Sequence, residues 1–241
     1  IRVVDVRHEA TAVFAADAVS RLSPAIGVAA VTAGPGLTNT LTAVKNIQMA
    51  QVPVLLLGGA TATILKGRGS LQDIDQMALL RPLTKHQVII KRGKDIANEI
   101  NKAIIIAQSG VPGPVFVELP LDLLYPQDLV RELYGLNTDG QKMSWWLEKY
   151  LQRNLNRIFA GFETAPKPVP EITCPMPVPS DMRKVSKMMY NSKRPVLLIG
   201  SQTMLNVTQV DNLAQKLASL NIPMFVSGMA RGLLSNEELN I

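Results

Sequence analysis

Short, continuously apolar segments alternate with segments of helical periodicity along the first half of this 241-residue chain. Strands that are apolar on both faces are typical of parallel sheets, because helices cover both sides of such sheets. The pattern therefore predicts an α/β fold with a doubly wound parallel sheet. We expect strands at residues 2–6, 26–32, 52–57, 87–90 and 115–119, and helices at residues 10–22, 39–51 and 94–108.

The regular alternation ends near residue 122, and a proline-rich segment follows. Six of the 16 prolines fall between Pro166 and Pro179, which is typical of an extended linker. We predict a first domain at residues 1–122, an amphipathic helix and linker at 123–179, and the start of a second, Rossmann-like α/β domain at 180–241. Because the chain begins directly in a strand-like pattern and ends after a glycine turn, we expect a fragment of a longer protein.

An amphipathic helical pattern precedes the linker and contains both tryptophans, Trp145 and Trp146, next to Lys149 and Arg153. Aromatic and basic side chains on one helix are typical of a helix that lies on a membrane surface. The same pattern also fits a helix that packs across its own protein, and we favour this second interpretation.

The composition excludes several classes of site and partner. The single cysteine cannot form an internal disulfide, and the two histidines leave few options for a zinc site. The net charge of +6 is small and spread along the chain, so we expect no nucleic-acid partner. The longest apolar run, at residues 52–65, is too short and too rich in glycine to span a bilayer.

A glycine turn and one carboxyl group are the candidate binding features. The sequence Gly34-Pro35-Gly36 lies between a predicted strand and a predicted helix, which is where open α/β sheets bind ligands. Asn39 stands where a dinucleotide fingerprint has its third glycine, and no Gly-Lys-Ser/Thr follows, so neither nucleotide motif is present. Glu9 lies at the end of the first predicted strand. By themselves, these residues also fit a tight turn and a carboxylate in the first turn of a helix.

Several segments in order resemble the thiamine diphosphate-dependent enzymes of the acetolactate synthase and 2-hydroxyacyl-CoA lyase group. They are Arg7-His8-Glu9, then residues 32–39, 53–59, 84–86 and 113–120. Residues 144–150, 159–161 and 228–234 resemble the acetolactate synthase-like branch, the 2-hydroxyacyl-CoA lyase 2 type. The resemblance implies that the first domain is the pyrimidine-binding domain of such an enzyme.

The resemblance also implies roles for particular residues. Glu9 would hydrogen-bond N1′ of the cofactor's aminopyrimidine and, held uncharged in an apolar site, would share a proton with it. Gly34, Pro35 and Asn39 match the turn beside the pyrimidine. Gln72 lies near the position of a glutamine on the substrate side, although the aromatic residue usual before it is missing.

The implied reaction is the cleavage of a 2-hydroxyacyl-CoA to an aldehyde and formyl-CoA. The alternatives are acetolactate-type condensation of pyruvate, a 2-oxoacid, and a non-catalytic subunit that keeps the fold. Thiamine diphosphate and Mg²⁺ are the implied cofactors, with no metal ligands in these 241 residues, and the central domain would bind FAD or an adenine nucleotide. We expect a homodimer or homotetramer, a fragment that is inactive alone, and an endoplasmic reticulum membrane location through a segment outside this sequence, with peroxisome or mitochondrion as alternatives.

Overall fold

The computed structural model describes residues 2–136, 144–161, 165, 168, 172, 176–204 and 209–234. It divides the chain into two units, Ile1–Pro175 and Met176–Ile241. Most of the predicted proline-rich linker lies outside the described residues. The domain boundaries at residues 122 and 179 stay predictions.

Four parallel strands form the sheet of the first unit, in the spatial order β1-β2-β4-β3. The strands are β1 Gly27–Val31, β2 Val54–Ala60, β3 His86–Ile89 and β4 Pro114–Pro120. The helices are α1 Glu9–Leu22, α2 Pro35–Thr38, α3 Leu41–Ala50, α4 Gln76–Leu80, α5 Ile96–Gln108, α6 Gln127–Leu133 and α7 Trp145–Phe159. Helices lie on both faces, which confirms the predicted doubly wound α/β fold.

Adjacent residues of the central strands supply the two cores. Leu56 and Phe116 pack in the cluster that includes α1 and α3. Leu55 and Val115 face the other way and pack in the cluster that includes α5 and α7. Because side chains alternate along a strand, continuous apolar runs bury both faces of the sheet.

Three details differ from the sequence-based expectation. Residues 2–6 form no strand, and Val3 and Val4 are 82% and 70% exposed, since β-branched residues do not make a strand without pairing and burial. The helix predicted at 39–51 is α3, which begins after Thr40 rather than at Asn39, and a short additional helix, α2, precedes it. Strand β2 continues to Ala60 because its glycines pair with β4, and a Cβ on Gly58 would lie 2.5 Å from the Phe116 ring.

Helix α7 is part of the first unit and packs on its sheet and helix α5 through its carboxyl-terminal half. Leu151, Leu155 and Ile158 are buried, and the last two belong to the core cluster of β4 and α5. This confirms the predicted packing interpretation, although Trp145 and Trp146 remain 57% and 74% exposed. Among the described residues, each helix is too short or too polar to cross a membrane.

The second unit contains helices α8 Pro179–Asn191 and α9 Val210–Ala218 and a parallel pair of strands, β5 Leu197–Ile199 and β6 Met224–Val226. Its buried cluster contains Ile199, Met224, Ala230, Leu233 and Leu234. At the carboxyl ends of the two strands, Ser201 Oγ accepts a hydrogen bond from the Met229 N–H at 3.0 Å. This α/β arrangement agrees with the predicted Rossmann-like unit.

We expect Leu155→Ala to destabilise the first unit by about 2–5 kcal/mol, because Leu155 is fully buried and its truncation leaves a cavity. Urea unfolding followed by circular dichroism measures the change. Arg153→Ala, on the exposed side of α7, is the control and should change the free energy of unfolding by less than about 0.5 kcal/mol. Equal effects of the two variants would contradict the packing of α7 described above.

Candidate functional site

The glycine turn lies at the carboxyl edge of the sheet, directly after β1. Gly34 has a φ of 63°, a left-handed conformation that favours glycine. A Cβ on Gly34 would lie 2.9 Å from Cβ of Gln72, which itself has a φ of 66°. The structure therefore brings Gln72 next to the turn, although its side chain is exposed.

Glu9 and Asn39 meet on the other side of this turn. Asn39 Nδ2 donates a hydrogen bond to Glu9 Oε2 at 3.0 Å, although 30 residues separate them. Glu9 is the first residue of α1, where the helix dipole favours a carboxylate. His8 precedes it and accepts the Ala10 N–H at Nδ1, at 3.1 Å. Glu9 is thus held by its helix and by Asn39.

The pKa of Glu9 is lower than the ordinary value for glutamate, chiefly because the Asn39 amide donates to the carboxylate. The backbone N–H of Glu9 and the nearby His8 act in the same direction, while desolvation opposes them. In this structure Glu9 is half-buried, and the hydrogen bond from Asn39 favours its anion. The expectation of an uncharged carboxyl concerns the site with the cofactor bound, and it stays a prediction.

Gly36 allows the Thr32 side chain to pack closely against the turn near Glu9. A Cβ at this position would lie 2.5 Å from Thr32 Cγ2 and 3.4 Å from Glu9 Oε1. Pro35, one residue earlier, is exposed and begins α2. A carboxylate held beside a glycine turn can hydrogen-bond a ring nitrogen, so the chemistry of these residues fits an aminopyrimidine.

A buried polar network lies behind the turn. Gln76 Oε1 accepts a hydrogen bond from the Gly34 N–H at 3.1 Å, and Gln76 Nε2 donates to Gly59 O and to Glu118 Oε2, both at 3.0 Å. Glu118 is 1% exposed, and its Oε1 lies 2.6 Å from Lys66 Nζ. The network connects the turn to β2, β4 and the loop after β2.

Sequence reasoning missed this network, although one signal for it was present. Glu118 stands inside the apolar run of residues 115–119, and a carboxylate buried there requires charged or polar partners. The signal points to a polar cluster at the end of β4, but it does not name Lys66 or Gln76.

A second carboxylate holds the same loop to the edge of the sheet. Asp122, 3% exposed, accepts hydrogen bonds from Thr63 Oγ1 at 2.5 Å, from Thr63 N at 3.0 Å and from the Tyr134 hydroxyl at 2.9 Å. Burial and the charge of Asp122 raise the pKa of Tyr134 above its ordinary value. Tyr134 therefore stays a neutral donor in the physiological range.

Metal ligands were predicted to lie outside this sequence. Within the part of the chain that the structure describes, no three His, Cys, Asp or Glu side chains are grouped so that they could hold a metal ion.

Comparison with known families and proteins adds independent information. Residues 1–79 match the family described as thiamine pyrophosphate enzyme, N-terminal TPP binding domain. The matched segment contains Glu9, the glycine turn, Asn39, Gln72 and Gln76.

The similarity to curated proteins extends over the whole chain. The chain is 50% identical to 2-hydroxyacyl-CoA lyase 2 of Danio rerio over 247 aligned positions. It is also 50% identical to the protein of the same name of Homo sapiens over 248 positions. It is also 30% identical, over 94% of its length, to the acetolactate synthase isozyme 3 large subunit of Escherichia coli. The chain spans 39% of the length of the two lyases and 34% of the synthase.

We expect Asn39→Leu to raise the pKa of Glu9, because the variant keeps a side chain of similar size but removes the donor to Oε2. The hydrogen bond to the anion stabilises the folded state above the ordinary pKa of glutamate, and this contribution is lost as the pH falls through the lowered pKa of Glu9. Carbon-detected NMR titration of the Glu9 carboxyl measures the change. Thr38→Val, which removes an exposed hydroxyl that donates to Pro35 O, is the control and should leave this pKa unchanged. A Glu9 pKa unaffected by Asn39→Leu would refute the assigned cause.

Proposed function

Since the chain carries the N-terminal domain of a thiamine pyrophosphate enzyme, we propose that the full-length protein is a thiamine diphosphate-dependent lyase. We propose that it cleaves 2-hydroxyacyl-CoA thioesters into an aldehyde and formyl-CoA. The identity of 50% over the whole chain to proteins named 2-hydroxyacyl-CoA lyase 2 supports this choice of substrate class. The observation on which the proposal depends is the Glu9–Asn39 pair above the glycine turn.

Each residue of the site has a role in this proposal. Glu9, ionised near neutral pH, accepts a hydrogen bond from the ring nitrogen of the aminopyrimidine and stabilises a proton there. Asn39 orients the Glu9 carboxylate through Oε2. The backbone at Gly34 and Pro35 forms the surface beside the ring, and Gln72 extends from the substrate side. When bound, thiamine diphosphate supplies the nucleophilic carbon and the electron sink for carbon–carbon cleavage.

A second candidate function is the acetolactate synthase reaction, in which pyruvate is the substrate. The 30% identity to the acetolactate synthase isozyme 3 large subunit of Escherichia coli supports it. Both reactions would use Glu9 in the same way, so the geometry of the described site does not favour one over the other. The higher identity to the lyases is the reason for placing the lyase reaction first.

Incubation of the full-length protein with thiamine diphosphate and Mg²⁺, and with either a 2-hydroxyacyl-CoA or pyruvate, tests the two functions. We expect formyl-CoA from the thioester, and we expect Glu9→Gln to lower kcat by about 10²–10⁴-fold, because the variant cannot accept the proton. Glu132→Gln, an exposed change at the end of α6, is the control and should leave kcat unchanged. Acetolactate from pyruvate without formyl-CoA would favour the second candidate. Binding of the cofactor without either product would indicate a non-catalytic subunit.

The remaining features of the proposal concern the whole protein. We propose that it is a homodimer or homotetramer at the endoplasmic reticulum membrane, that Mg²⁺ ligands are supplied outside these residues, and that the central domain binds FAD or an adenine nucleotide. Support for the last point is the contact of Ser201 and Met229 at the carboxyl ends of β5 and β6, where α/β sheets bind nucleotides.

Purified full-length protein should sediment as a dimer or tetramer and contain bound nucleotide detectable by absorption after denaturation. Cell fractionation should place it with endoplasmic reticulum membranes. A monomer in the soluble fraction, or sedimentation with peroxisomes or mitochondria, would contradict the corresponding part of the proposal.

A further inference from the structure

The side-chain amide of Gln76 uses all of its hydrogen-bonding groups inside the protein. Gln76 is 2% exposed, and its oxygen accepts the Gly34 N–H while its nitrogen donates to Gly59 O and Glu118 Oε2. A primary amide has one oxygen acceptor and two N–H donors. Each of these groups therefore has a specific partner.

The three partners of Gln76, one of them the anionic Glu118, determine the orientation of this amide. Rotation of the amide by 180° would place its oxygen against the carbonyl of Gly59 and the carboxylate of Glu118. It would also place the NH₂ group against the Gly34 N–H. Since all three contacts would be repulsive, only the observed orientation presents an acceptor to the turn.

Other charged groups near the network are already engaged. Lys66 Nζ, 2.6 Å from Glu118 Oε1, balances the charge of that carboxylate. Asp73 accepts a backbone N–H from its own loop, and Asp75 accepts one from the first turn of α4. Glu118 is thus the anion that faces the Gln76 amide.

The turn has two different anchors. The Gly34 carbonyl accepts a hydrogen bond from the Thr38 N–H at 3.0 Å, within α2, while the Gly34 N–H donates to Gln76. Gln76 is thus the contact by which the start of the turn is fixed to the sheet.

We infer that Gln76 is a positioning residue that holds the Gly34 turn in the geometry required for binding the aminopyrimidine, in an orientation set jointly by Gly34, Gly59 and Glu118. This inference rests on the function proposed above. Gln76 itself touches neither Glu9 nor Asn39 through any described hydrogen bond, so it acts through the backbone of the turn.

Gln76→Glu in the full-length protein tests the inference through its pH dependence. While the new carboxyl is protonated, its O–H donates to Glu118 and its other oxygen accepts the Gly34 N–H, so the turn is held. Two carboxylates about 3 Å apart share one proton and release it at a higher pH than an isolated carboxyl group does. After that release the carboxylates repel each other, and the anchor of the turn is lost.

We expect the variant to bind Mg²⁺-thiamine diphosphate nearly as tightly as the wild type at about pH 5 and about tenfold more weakly at about pH 8. At each pH, the Kd of the variant is divided by the Kd of the wild type. In this ratio the effect of pH on the cofactor itself cancels. Gln152→Glu is the matched control, because Gln152 also donates to a carboxylate, Glu148, at 3.1 Å, but does so on the exposed surface of α7. Its Kd ratio should stay near one at every pH.

Amide hydrogen exchange at Gly34, measured without cofactor, separates this inference from the proposed function. Exchange should accelerate in Gln76→Glu as the pH rises, beyond the acceleration seen in Gln152→Glu. If wild-type protein does not bind thiamine diphosphate, the proposed function fails, while exchange at Gly34 still tests the anchor.

Equal Kd ratios and equal Gly34 exchange for the two variants at all pH values would overturn the inference. If Gln76→Glu does not fold, Glu118→Gln takes its place, because it removes the charged acceptor among the three contacts that orient the amide and keeps the volume. Glu118→Gln should then accelerate Gly34 exchange at every pH, and unchanged exchange would overturn the inference as well.

Discussion

A carboxylate buried at the end of a central strand is the constraint on which the carboxyl edge of the sheet depends. Glu118 is 1% exposed, and β4 has strands on both sides, so its partners must come from chain that crosses the edge. An unpaired charge in that position would be strongly unfavourable. Lys66, from the loop after β2, and Gln76, from α4, supply the partners. The path of the chain between β2 and α4 follows from this requirement.

Asp122 strengthens the same arrangement at a second point. Because Thr63 bonds to Asp122 and Lys66 to Glu118, the loop after β2 is attached twice to the end of β4. The later part of the loop has no such attachment at Leu71, which is 87% exposed, and Gln72 is exposed beside the turn. The edge of the sheet thus combines a loop that is held firmly at its start with an exposed segment beside the turn.

The fold was predictable to the extent that burial alone determines it. The runs around Leu55 and Val115 predict a buried parallel sheet because every position is apolar, and the structure has that sheet. The valines of residues 2–6 have the same composition but no burial, so the predicted strand is absent from these residues. The predicted end of β2 was too early, because pairing with β4 carries the strand through its glycines to Ala60, and local sequence does not contain that pairing.

The residues of the candidate site that lie in recognisable sequence motifs could be predicted. The roles of Glu9, the glycine turn and Asn39 were predicted from the resemblance to a known family, and the structure places Glu9 and Asn39 in contact beside the turn. Gln76 was not identified, because a glutamine near the start of a helix has no distinctive pattern. Its importance comes from the geometry of three partners separated by 17 to 42 residues from it in sequence.

The protonation state of Glu9 depends on two opposing effects whose balance the surroundings can change. The Asn39 amide favours the anion, while desolvation favours the neutral acid. An anionic Glu9 can only accept a hydrogen bond, so it pairs with a ring nitrogen that bears a proton. Any group that covers Glu9 and excludes water increases the desolvation and moves its pKa upward, toward the range in which a proton is exchanged. In the proposed function, a ligand that covers the half-buried Glu9 would therefore favour exchange of a proton with it.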